Sequence, residues 1–151
     1  MSNIVCEANV QRYYADDPAQ LAKYAETLKS GRCPFCEPNI TSKFLGETDC
    51  YNIVYNQFPY KYADKTLVRL HLLVLPKRHI IRIGEMTPGE WADMFYVTQL
   101  VETEYPFLKL GYGEAVRSDE VGGVTIYHLH WHIIAPQIGQ TGQKPVNFGI
   151  G

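Results

Sequence analysis

The chain has 151 residues, 46% hydrophobic and 20% charged, with a formal net charge of -2. One domain accounts for that length, and it can bury a core without disulfide staples. The charge excludes the basic footprint of a nucleic-acid binder, and no stretch approaches the ~20 apolar residues of a membrane span. An aromatic share of 13% also excludes intrinsic disorder. The first residues lack a charged-then-apolar leader, so the expectation is a soluble, cytoplasmic protein with no nucleic-acid or membrane partner. Histidine is distributed oddly. All five lie between residues 71 and 132, and three of them fall within five positions.

The first element is a helix, with Asp17 as cap, Pro18 at its first position, and Leu21, Tyr24, Ala25 and Leu28 along one face. Ser30-Gly31 stops it, and the closely spaced pair Cys33-Pro34-Phe35-Cys36 follows. Phe44 to Tyr55 reads as two short strands separated by Gly46 and the Glu47-Thr48-Asp49 turn, and Pro59 closes the second. A polar loop runs to Lys65. Leu67–Leu75 is the most apolar run, a central strand that stops at Pro76. Thr87-Pro88-Gly89-Glu90 is a capping box with proline at the first helical position. Trp91, Met94, Phe95, Thr98 and Val101 then recur at helical spacing, the stripe expected to lie on a sheet, and Pro106 ends the helix. Gly111–Arg117 and Gly123–Pro136 read as the last two strands, an antiparallel pair joined by the Ser118–Gly122 turn. We expect one domain over residues 1–136, with 1–30 as a helical extension and 137–151 as an irregular tail.

Two clusters carry chemistry. In a strand, side chains repeat every two residues, so His128, His130 and His132 share one face and Leu129, Trp131 and Ile133 the other. The apolar face suits a core, which aims the histidines at a cleft. An undistorted strand sets His128 and His132 roughly 13 Å apart, too far for one metal to hold all three. An adjacent pair can still chelate, so a metal site and acid–base or nucleophilic catalysis both remain open. The spacing of Cys33 and Cys36 suits a zinc knuckle, a redox pair or coincidence. A Cys2His2 zinc site would close on Cys33, Cys36, His79 and His128. Cys6 and Cys50 have no such partners. His71, inside the apolar run, suits a support role or the rim of a nucleotide pocket.

His128-Leu-His130-Trp-His132-Ile-Ile resembles the signature of the histidine-triad (HIT) superfamily, in which three histidines alternate with apolar residues. Gly123-Val-Thr125-Ile-Tyr-His128 is similar to the family's lead-in, and His71-Leu-Leu-Val-Leu-Pro-Lys-Arg-His79 to its central block. Cys33-Pro-Phe-Cys36 and Asn56-Gln-Phe-Pro59 fill the earlier positions, so the resemblance runs from about Cys33 to Pro136. It implies an α+β fold, a curved antiparallel sheet of about five strands crossed by a long helix, paired into a homodimer. It implies hydrolysis or transfer at the α-phosphate of a purine nucleotide, such as a nucleoside phosphoramidate or a dinucleoside polyphosphate. His130 would be the nucleophile, forming a covalent nucleotidyl-histidine, with His132 stabilising the phosphoryl oxygens and His128 beside them. Thr125 would contact the phosphate or leaving group, and Asn56 the ribose. Cys33, Cys36, His79 and His128 match the ligands of a structural zinc. Two departures matter. Arg117 stands where many hydrolase members have Asn, and it would bind a phosphate or anchor the turn. His132 stands where the transferase branch has Gln, which favours the hydrolase side. The competing readings are a non-catalytic nucleotide-binding adaptor, and a metal enzyme in which His128 and His130 hold a catalytic ion.

Overall fold

The computed structural model describes residues 17–62, 64–119 and 121–137. Cys6 and the tail beyond residue 137 lie outside them. Among the described residues a helix α1 (Pro18–Ser30) is followed by strands β1 (Phe44–Glu47), β2 (Tyr51–Tyr55) and β3 (Leu70–Pro76). A second helix α2 (Pro88–Glu104) comes next, then β4 (Gly113–Val116) and β5 (Trp131–Ala135). The five strands form one antiparallel sheet in the order β1-β2-β3-β5-β4. This is the expected α+β architecture.

The capping reading holds for both helices. Asp17 accepts the Ala19 N–H at 2.9 Å, and Gly31 closes α1 at φ 64°, where a side chain would be strained. Thr87 and Glu90 bond each other's backbone N–H at 3.2 and 2.7 Å, with Pro88 at the first helical position.

The sheet has two covered faces. Tyr51, Ile53, Leu72, Val74, Trp131 and Ile133 point to one side and bury Val97 and Val101 of α2. Val54, Leu73 and Leu75 point to the other and pack under Phe35 and Ile40, next to the cysteine pair. His71 and His132 lie on this second face, because Leu73 pairs directly with His132 in the register.

Four expectations need correction. The helix packs with a stripe that shares only Val101 and Met94 with the one expected. Glu90, Asp93, Val97 and Val101 are buried, whereas Trp91 is 50% and Phe95 61% exposed. The physical reason is that the two buried acids find partners under the helix. Asp93 accepts from Thr48 Oγ1 at 2.6 Å and Cys50 N at 2.8 Å, and Glu90 takes the Arg78 guanidinium at 2.8–2.9 Å. That guanidinium holds the Glu90 carboxyl down at about 2. The central strand begins at Leu70, not Leu67, which is half exposed and meets Lys61 in an isolated bridge. The last strand begins only at Trp131. Residues 123–130 are irregular backbone, their run held by Leu129 N to Ile80 O at 2.6 Å. Its partner strand is likewise shorter than expected, Gly113–Val116.

Candidate active site and metal cluster

The irregular run before β5 carries His128 and His130 against the Cys33–Ile40 segment, where Phe35 meets both rings. There His128 is fully buried, His130 is 6% exposed and His132 8% exposed. The histidine face is therefore enclosed, not open to a cleft. The alternation with Leu129, Trp131 and Ile133 survives even where the strand does not, since those three join the α2-side core.

Each imidazole has a definable proton. His130 Nδ1 lies 2.7 Å from the His128 carbonyl, which can only accept, so Nδ1 carries the proton and Nε2 the lone pair. The Tyr60 N–H donates to His71 Nδ1 at 3.0 Å, so a neutral His71 carries its proton on Nε2. That proton faces His132 Nδ1 at 2.8 Å, which leaves His132 with its own proton on Nε2. Burial keeps these rings neutral. It pushes His71 down to about 3, and it lowers His130 and, further, His132 from the ordinary imidazole range. For His130 the bond to the His128 carbonyl opposes the effect, and the Arg117 charge adds to it. Two adjacent rings, 4.9 Å apart, thus present opposite Nε2 atoms, one a lone pair and one a donor.

The other predicted site residues surround this pair. The Asn56 amide lies 3.2–3.3 Å from the His71 ring, and its carbonyl accepts the Phe58 N–H at 2.9 Å. Arg117 donates to the Gly122 carbonyl at 3.4 Å, so it anchors the turn while its charge reaches both His130 and His132. Thr125 is half-buried and takes the Tyr24 hydroxyl at 3.4 Å. Sequence reasoning missed two rings. Phe35 meets His130 edge-on at 5.0 Å, and Tyr60 stacks on His132 at 5.5 Å. Phe35 was visible between the cysteines, but spacing gave it no role.

Cys33, Cys36, His79 and His128 come together, with one ligand atom from each lying within 4.8 Å of the others. Cys33 Sγ and Cys36 Sγ each lie 3.4 Å from His128 Nδ1, and Cys36 Sγ lies 3.3 Å from His79 Nδ1. A tetrahedral zinc with Zn–S of about 2.3 Å and Zn–N of about 2.0 Å needs sulfur–nitrogen edges of about 3.5 Å. The cluster fits that ion, and two thiols with two imidazoles suit zinc better than calcium or magnesium. His128 Nε2 donates to the Pro76 carbonyl at 2.8 Å, which leaves Nδ1 as the ligand atom. Both nitrogens of His128 are thus committed, and none remains for an ion shared with His130. A cavity of about 340 Å³ opens beside this cluster, lined by Phe35, Cys36, Glu37, Glu47, Asn52, Lys77 and His79. It touches the metal side of Phe35 and includes neither His130 nor His132.

The HIT domain family model matches residues 37–138. A bis(5'-adenosyl)-triphosphatase of Dictyostelium discoideum is 33% identical over 66 residues, 42% of this chain and 44% of that protein. The chain spans about half the length of the curated relatives it matches. Among solved structures, a HIT family hydrolase from Legionella pneumophila has a TM-score of 0.57 at 20% identity, covering 70% of this chain and 94% of the other. A zinc-bound histidine triad family protein from Mycobacterium smegmatis has a TM-score of 0.51 at 18% identity, covering 72% and 77%. At these identities the structural likeness speaks for the fold.

Proposed function

The chain belongs to the HIT domain family, and on that premise we propose that it is a nucleotide hydrolase or nucleotidyl transferase acting at an α-phosphate. One observation carries the reading, the opposed protonation of the two neighbouring rings. His130 Nε2 offers a lone pair at neutral pH, and His132 Nε2 offers a proton beside it. In the proposed reaction His130 Nε2 bonds to the α-phosphorus while the bond to the leaving oxygen or nitrogen breaks. The leaving atom keeps the electron pair and takes a proton from solvent, which the water that attacks next gives back. Water then displaces His130, releasing a nucleoside monophosphate and returning the ring to its starting state. The His132 N–H supplies a preorganised donor to a phosphoryl oxygen in both steps. Thr125 contacts the phosphate or leaving group in this reading, Asn56 the ribose, and His71 holds His132 in its tautomer. The substrate is a purine nucleoside phosphoramidate or a dinucleoside polyphosphate. The Dictyostelium relative's name supports the second class.

Cys33, Cys36, His79 and His128 hold a structural zinc in this reading, which would clamp the run before His130 to the start of the Cys33–Ile40 segment. Cys33, Cys36 and Cys50 form no disulfide, which suits a reducing, cytoplasmic setting, and no helix among the described residues is long and apolar enough to cross a membrane. The described residues from 17 to 136 act as one domain in this reading. The exposed Trp91, Phe95 and Tyr96 stripe of α2, on the same sheet as the open edge β4, supports the homodimer. The test of the chemistry is an acid quench with a substrate labelled at the α-phosphate. Label should appear on His130, and His130→Gly should lose both label and turnover. A His130→Gly protein that still turns over refutes the nucleophile.

A further inference from the structure

Helix α1 lies wholly before the residues matched by the family model, yet it is bolted to both flanks of the site. Tyr24 is 6% exposed and packs with Cys33 and Ile126, with Leu21 and Phe35 alongside. Its hydroxyl accepts from Gln20 Nε2 at 2.7 Å and donates to Thr125 Oγ1 at 3.4 Å. The preceding residue, Lys23, reaches the opposite flank. Its ammonium bonds Thr41 Oγ1 at 2.8 Å and the carbonyl of Gln57, the neighbour of Asn56. One turn of helix therefore bonds both the Thr125 segment and the segment next to Asn56.

The consequence is asymmetric. The contact on the Asn56 side is polar, made by a long side chain with one ammonium, and such a bond is easily remade around a ligand. The contact on the Thr125 side is an apolar plug. A phenol ring fills the space against Ile126, and removing it requires exposing buried aromatic area. A small leaving group needs room for only a few atoms beyond the phosphorus. A dinucleoside polyphosphate must place a further phosphate chain and a whole second nucleoside, and sites for ligands of that size run to ~300 Å³ or more.

We propose that Tyr24 is a specificity-determining residue, closing the Thr125 flank so that the enzyme takes leaving groups without a second nucleoside. The inference rests on the α-phosphate reading above and narrows it to phosphoramidates and similarly small leaving groups. The hydroxyl matters less than the ring, because its bond to Thr125 is long and the packing is close.

The experiment compares kcat/KM for adenosine 5'-phosphoramidate with kcat/KM for diadenosine triphosphate. Wild type should favour the phosphoramidate by about tenfold or more, and Tyr24→Ala should shift that ratio toward the dinucleotide by about tenfold, chiefly through KM. Tyr24→Phe, which keeps the ring, should retain the wild-type ratio. Tyr24→Leu, a milder truncation, should move it partway and guards against an alanine variant that fails to fold. Equal use of both substrates by wild type overturns the proposal, as does an unmoved ratio in a folded Tyr24→Ala or Tyr24→Leu protein. Failure of the chemistry reads differently. With no turnover and no label on His130, the nucleophile reading falls, and calorimetric Kd values for AMP and diadenosine triphosphate then report on Tyr24. A truncation that tightens only the dinucleotide supports the plug, and unchanged Kd values refute it.

Discussion

Replacing His71 with leucine isolates the ring that orients His132. The substitution places an apolar side chain of similar bulk on that face of β3 and removes the ring's bonds to Tyr60 and His132, together with its contact to the Asn56 amide. The Tyr60 N–H loses its acceptor at 3.0 Å, and His132 Nδ1 loses its donor at 2.8 Å. Leaving buried polar groups without partners costs about 2 kcal/mol in all, which for a chain of this length lowers Tm at pH 7 by about 4–8 °C. The effect should reverse with acid. His71 is held neutral in the fold, its pKa pushed down to about 3 by burial, whereas an unfolded histidine titrates near 6.5. Between those values the unfolded chain binds a proton that the folded chain does not. Stability is therefore complete above pH 6.5 and falls as the pH drops toward 3. At pH 5 this one residue removes about 2 kcal/mol relative to pH 7. The leucine variant has no such loss.

The difference between wild type and His71→Leu should accordingly shrink from about 2 kcal/mol at pH 7 to near zero at pH 5. Urea unfolding followed by tryptophan fluorescence measures it, with matching m-values as the check that both chains unfold alike. Any pH effect of the rest of the chain acts on both proteins and cancels in the comparison. A gap that stays the same at both pH values refutes the buried neutral histidine. Nitrogen-15 spectra give an independent reading, because wild-type His132 should carry its proton on Nε2 and lose that preference in the variant.

Two further outcomes follow from other parts of the fold. The purified chain should carry about one zinc, and the Cys33→Ser Cys36→Ser double variant should lose it and melt at lower temperature; metal analysis showing unchanged zinc sinks the cluster as a site. Gly122→Ala should destabilise more than Gly84→Ala. At Gly122 an added Cβ would sit 2.6 Å from the Ser118 carbonyl oxygen, a backbone atom that cannot swing aside, whereas at Gly84 it meets nothing within 4 Å. Equal shifts in thermal melts would argue against the tight Ser118–Gly122 turn.

Local signals with a complete chemical partner set were legible in the sequence. The Asp17 and Thr87 caps, the proline stops and the alternation of apolar residues with histidine all depend on neighbours a few positions away. The metal cluster was legible too, because cysteine and histidine have few uses at that spacing. The face of α2 was not. Trp91, Met94, Phe95, Thr98 and Val101 form a sound apolar stripe, yet Glu90 and Asp93 turned the helix by finding Arg78, Thr48 and Cys50, residues far off in sequence. Hydrophobic pattern ranks a carboxylate as a surface group, and only the fold shows which carboxylates have a buried partner waiting. The enclosure of the histidines was hidden for a similar reason, since Phe35 and Tyr60, distant in sequence, cover them.

The late start of β5 is the departure with the most chemistry in it. An alternating run of histidines invites a continuous strand from Gly123, and in such a strand the His128 carbonyl could be committed to a neighbouring strand's N–H. Here the ladder begins at Trp131, and the backbone of residues 126–130 makes other bonds. His128 N goes to Ile126 O at 2.7 Å, and Leu129 N goes to Ile80 O at 2.6 Å. The His128 carbonyl accepts instead from the side chain two residues on, the His130 Nδ1–H at 2.7 Å. That bond decides which nitrogen of His130 keeps its lone pair. The same break lets the His128 ring turn to the cysteines and to Pro76 while His132, inside the ladder, faces His71. Three identical side chains at even spacing thus acquire three different offers, a ligand Nδ1 on His128, a lone pair on His130 Nε2 and a proton on His132 Nε2, and the backbone irregularity separates the first two from the third.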